Sequence, residues 1–138
     1  MSYEKYSKDW NKLTKDEQWY VLLHPWHVDE IKENSRNALK KAQGLFGGGS
    51  LHNGAGDAFR HCYWSALLAR DLGGDNAQQF TTAHESKPGN PKKEKEMDLY
   101  NNGKGIEIGR KNPNASDSDL AKMCQNALLK GELKVIKP

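Results

Sequence analysis

Gly56-Asp57-Ala58-Phe59-Arg60-His61-Cys62-Tyr63-Trp64-Ser65-Ala66-Leu67-Leu68-Ala69 is the stretch from which the fold is read. Asp57, Arg60, His61 and Trp64 stand at offsets of zero, three, four and seven, which places them on one face of a helix. Ala58, Phe59, Cys62, Tyr63, Ala66 and Leu67 fill most of the rest of the circumference, so this helix is expected to be buried. A buried polar group without a partner costs roughly 2–7 kcal/mol, so the polar stripe has to face other polar side chains or a ligand.

Working outward, Gly73 is expected to end this helix and a further helix to run from Asp75 to about Glu85. On the N-terminal side, Thr14-Lys15-Asp16-Glu17 is a capping box that opens a short helix bearing Trp19, Tyr20, Leu22 and Leu23. His24-Pro25 closes it. Pro25 suits the first turn of the next helix, whose apolar positions Val28, Ile31, Ala38, Leu39, Ala42 and Leu45 recur up to Gly47-Gly48-Gly49. Beyond the turn Ser86-Lys87-Pro88-Gly89-Asn90-Pro91, a helix resumes near Glu94 and continues through Met97, Tyr100 and Ile108. Gly103 and Gly105 weaken it by roughly 1 kcal/mol each, a cost usually tolerated where another element approaches closely. Residues 116–119 can cap a last amphipathic helix ending at Gly131, with 133–136 as a short extended tail. Strand alternation and internal repeats are both missing, so the expected fold is all-α, a single compact domain of about five to six helices spanning 14–138, with 1–13 as an N-terminal lead-in anchored by Trp10.

At 138 residues the chain can bury an ordinary core without staples. Four Trp, five Tyr and three Phe supply bulky core material against an apolar fraction of 36%. The formal charge of +3 comes from basic residues scattered among acids, which is no electrostatic footprint for nucleic acid. Cys62 and Cys124 have no metal-binding spacing and read as buried thiols, able to pair only if the helices bring them together in an oxidising compartment. No apolar run reaches the length of a transmembrane segment, and residues 1–5 begin neither a signal nor a transit peptide.

A second stripe, Asp98, Asn101, Asn102 and Gly105, repeats the spacing of the first. If the two faces meet, Asp57 and His61 oppose Asp98 and the Asn pair, and His84-Glu85 is placed to join from the intervening helix. Asp57, His61, His84 and Asp98 are a nitrogen and oxygen donor set suited to a divalent ion, Zn or Mn/Mg, which would activate water. Without a metal the same groups, with Glu85, can serve as acid and base. Arg60 suits an anionic substrate, a phosphodiester by preference, because its planar fork clamps phosphate or carboxylate. His52, Asn53, Trp64, Asn101 and Asn102 are the candidate substrate contacts, His52 as a mobile acid or base. The plainer readings stand beside these. Asp57 can act as a helix cap, His61 with Asp98 as a structural pair, and His84 as a partner of a helix C-terminus.

In its order of motifs, Asn53-Gly-Ala-Gly-Asp57-Ala-Phe-Arg60-His61-Cys-Tyr-Trp64, then Ala83-His84-Glu85, then Met97-Asp98-Leu-Tyr-Asn101-Asn102 with Gly105, the chain resembles an all-helical bacterial toxin-type domain found at the C-terminal ends of polymorphic effectors, Rhs-type and related. The resemblance runs from about Thr14 to Gly131. It implies that the three motifs form one site, that the domain is delivered into a target cell as part of a larger secreted carrier, and that a cognate immunity protein blocks it. It leaves the reaction open. Three outcomes remain: a hydrolase of phosphodiesters with metal assistance, a metal-free enzyme acting on peptidoglycan or lipid, and a module that binds a ligand or partner without turnover.

Overall fold

The computed structural model describes residues 10–137. Residues 1–9 of the expected lead-in, including the stretch read for a targeting signal, lie outside the described residues. In chain order the elements are α1 (Lys15–Leu23), a 3-10 turn (Pro25–His27), α2 (Val28–Phe46), α3 (Ala55–Leu72), α4 (Gly74–His84), α5 (Lys92–Lys111) and α6 (Asp117–Leu129). No strand occurs among the described residues, and the fold is all-α as expected.

The striped helix α3 is the centre of the domain, in contact with α2, α4, α5 and α6 and most extensively with α5. Its burial follows from composition: Phe59, Leu67 and Leu68 fill volume, while Ala58, Cys62, Ser65 and Ala66 let neighbours approach. Gly105 and Gly109, one turn apart on α5, meet the α3 backbone directly. A Cβ on Gly105 would lie 2.0 Å from the Cys62 carbonyl oxygen, and one on Gly109 would lie 2.2 Å from that of Ala66. Contacts pair His61 with Asp98, Ser65 with Asn102 and Ala66 with Gly109, so α5 runs beside α3 in the same direction. The return helix α4 makes this parallel arrangement possible. Gly105 and Gly109 thus serve close helix packing.

Capping signals are realised as read. Thr14 Oγ1 accepts from Glu17 N while Glu17 accepts from Thr14 N, and Ser116 accepts from Asp119 N. Gly47 ends α2 in the left-handed region, at φ 68°, which explains one of the three consecutive glycines. Part of the aromatic complement departs from expectation. Tyr20 and Trp64 are buried, but Trp19 and Trp26 are not: α1 packs through Glu17, Tyr20 and Val21 and leaves the face of Trp19 open, and Trp26 projects from the 3-10 turn that follows. Cys62 and Cys124 are free thiols with their Sγ atoms 3.0 Å apart between α3 and α6.

Residues 10–13 of the lead-in and the tail both join the domain. Trp10 O accepts from Gln18 Nε2, and Lys12 and Leu13 line the cleft described below. At the other end, Asn101 holds the Lys134 backbone through both its amide atoms, at 2.9 and 2.8 Å, and Asn53 O accepts from Ile136 N and Lys137 N.

Candidate active site

Three elements bring carboxylates to one imidazole. His61, on α3, is buried, and its Nδ1 lies 3.1 Å from Asp57 Oδ1 and 3.0 Å from the Asp57 carbonyl oxygen, one turn earlier. On the opposite edge of the ring, Nε2 lies 3.5 Å from Asp98 Oδ1 of α5 and 3.7 Å from Glu85 Oε2 at the end of α4. Asp98 Oδ1 is itself buried and has no hydrogen-bond partner. Ligand atoms from Asp57, His61 and Asp98 all lie within 4.8 Å of one another, close enough to share a metal ion.

Asp57 and Glu85 are held from behind. Asp57 Oδ2 accepts from Asn53 N at 2.7 Å and Oδ1 from Arg60 Nη2 at 3.2 Å. Asp57 lies in the first turn of α3, whose cap position is Gly54 without a side-chain hydrogen bond, so it ties the preceding Asn53 to the helix and faces His61 rather than serving as the helix cap of the plainer reading. Asn53, at φ 64°, sits in the left-handed region that Asn tolerates better than most residues, and its side-chain amide donates to Glu94. Asn102 Nδ2 donates to Glu85 Oε2 at 2.9 Å while its Oδ1 accepts from Ser65 Oγ, which ties α3, α4 and α5 together at the site. His84 is half-exposed, and its Nδ1 lies 3.0 Å from Oε2 of the buried Glu17.

The electrostatics separate the two aspartates. Burial opposes ionisation of Asp57, but the hydrogen bond and charge of His61, the Asn53 amide and Arg60 outweigh it and hold the carboxyl at about 2. For Asp98, burial dominates and Glu85 and Asp57 add repulsion, so despite the attraction of His61 its carboxyl rises to about 6. Burial works against protonation of His61, yet the hydrogen bond to Asp57 and the charges of Asp98, Asp57 and Glu85 raise it above its ordinary value. Three carboxylates around one imidazole leave the cluster short of positive charge.

These groups open onto a cleft of about 430 Å³ whose walls include His52, Asn53, Asp57, Arg60, His61, His84, Glu85 and Asp98. The structure sorts the other candidates differently from the sequence. His84 also lines the cleft but falls outside the triad of potential ligands, and its Nδ1 is engaged by Glu17. Asn101 and Asn102 do not line the cleft; the first is spent on Lys134 and the second on Glu85. Trp64 lines neighbouring cavities instead, edge-on to His84 at 5.2 Å. His52 is an exposed neighbour of Glu94, at 3.2 Å.

Glu17, Glu94 and Ser65 are the participants that sequence reading missed. Glu17 was visible only as a capping residue, yet one carboxylate serves both the cap and His84. Although burial works against its charge, His84 and Thr14 hold the Glu17 carboxyl below its ordinary value. Its contribution to stability is therefore complete above the ordinary carboxylate range and is lost as pH falls through the lower folded value. Urea midpoints for wild type and Glu17→Gln should differ at about pH 6 and converge at about pH 3. An unchanged gap across that range would show that the Glu17 charge plays no part.

The chain belongs to the family described as a domain of unknown function, DUF6973, whose model matches residues 18–132. No solved structure matches it. Among the described residues, no helix is long and apolar enough to cross a membrane.

Proposed function

We propose that this DUF6973 chain is a hydrolase of anionic, phosphodiester-type substrates, assisted by a divalent cation held by Asp57, His61 and Asp98. The observation that supports it most is the unpartnered, buried Asp98 Oδ1 facing His61 in a cluster of three carboxylates. Carboxylates outnumber the cationic side chains around His61, a divalent cation would offset their repulsion of a phosphodiester, and the three donors suit Zn, Mn or Mg. The cation would neutralise charge and lower the pKa of a bound water.

The chain's own residues supply the remaining steps. Arg60 orients the anionic group. Glu85, fixed by Asn102, accepts the proton of the attacking water as its oxygen bonds to phosphorus. The ester P–O bond breaks, and the departing alkoxide takes a proton from His84, whose ring is oriented by Glu17. One water is consumed, and a phosphomonoester and an alcohol result.

The test is turnover of bis(p-nitrophenyl) phosphate with Mn²⁺ and after chelation. Wild type should hydrolyse it only with the cation, and Asp98→Asn should fold but lose activity by roughly a hundredfold or more. Activity that survives both chelation and Asp98→Asn would favour metal-free acid–base chemistry. The likeness of the three motifs to toxin tips extends the proposal to an effector delivered by a larger carrier and restrained by an immunity protein. Growth arrest on expression, relieved by the same variant, is the expected result.

A further inference from the structure

We propose, resting on the hydrolase reading, that the substrate is an anionic amphiphile whose hydrocarbon chain lies beyond the polar cleft. The cleft does not end at His61. Arg60, His61 and His84 also line a smaller chamber of about 130 Å³ together with Trp64. Trp64 and His84 in turn line a groove of about 610 Å³, in the range of small-molecule sites. Leu13, Ile31, Trp64 and Phe80 give that groove its apolar surface. Polar cleft, chamber and apolar groove therefore share walls in sequence, which is the shape of a headgroup site continued by a chain site.

Two further observations support this occupant. Trp64 Nε1 is buried and has no hydrogen-bond partner. A tryptophan N–H inside a protein ordinarily finds an acceptor, and because Trp64 belongs to the walls of both chamber and groove, a small turn of its ring would let an ester or phosphate oxygen at their junction supply one. In addition α1, whose Glu17 lines both cleft and groove, exposes Trp19, Leu22 and Leu23 at 65, 60 and 64%, and Trp26 follows at 70%. Tryptophan and leucine together at a surface suit contact with a lipid interface, from which such a substrate would be drawn.

Calorimetric titration of the Mn²⁺-loaded protein with ethyl phosphate and with monomeric octyl phosphate tests the assignment. Octyl phosphate should bind at least about tenfold more tightly, since a few buried methylenes suffice for that factor. Glu33→Trp and Arg36→Trp narrow the groove from exposed wall positions outside cleft and chamber. Both should abolish the preference for the longer chain and leave ethyl phosphate binding unchanged. Equal affinities for the two phosphates in wild type, or a preference that survives both variants, overturns the inference while leaving the hydrolase reading intact. Failure of either phosphate to bind the loaded protein overturns both.

Discussion

His61→Ala should lower kcat/KM for a phosphodiester by roughly a thousandfold or more and remove stoichiometric cation binding. The imidazole meets all three carboxylates: Asp57 on its Nδ1 edge, Asp98 and Glu85 on its Nε2 edge. Its removal takes away one ligand and leaves like charges facing one another across a buried gap. The measurement is steady-state hydrolysis beside a circular-dichroism melt. An inactive variant that still folds cooperatively separates catalysis from a purely structural polar core, which would predict a melt lowered by several degrees as the main effect. Full activity in His61→Ala would exclude His61 from the chemistry.

Gly105→Ala should be the most destabilising single methyl in the chain. The added carbon would meet the Cys62 carbonyl carbon at 2.8 Å and the Ser65 Cβ at 2.9 Å, besides the carbonyl oxygen at 2.0 Å. These are mostly backbone atoms in the middle of the central helix, so relief requires α3 and α5 to separate rather than a side chain to turn. Overpacking of this kind costs about 3 kcal/mol or more, a Tm fall on the order of 10 °C. Gly103 on the same helix supplies the control. Nothing lies within 4 Å of its added Cβ, and Gly103→Ala should raise stability by up to about 1 kcal/mol through helix propensity alone. Equal effects from the two substitutions would refute the close crossing. Because that crossing sets Asp98 beside His61, Gly105→Ala should also weaken cation binding in whatever fraction remains folded.

The helical architecture was legible because its signals are local. Capping at Thr14 and Ser116, the stop at Gly73 and the apolar periodicities each act within a few residues. The meeting of the two stripes was legible in part, since equal spacing allows Asp57 and His61 to face Asp98 but does not fix which polar residues stay on the shared face. Asn101 and Asn102 illustrate the limit. Adjacent on one helix, they point to different partners, one to the tail at Lys134 and one to Glu85. The role of Glu17 was hidden for a similar reason, because His84 lies 67 residues away and nothing local announces the pair. Exposure of Trp19 and Trp26 contradicts the ordinary expectation for tryptophan, and it occurs where the inferred amphiphile would need a surface.

Equilibrium dialysis of the purified protein against Mn²⁺, with metal content read by elemental mass spectrometry, tests the proposed centre most directly. One ion per chain in wild type, lost in a folded Asp98→Asn variant, is the predicted result. No uptake by wild type at about 1 mM, or equal uptake by the variant, would contradict a cation centre at Asp57, His61 and Asp98.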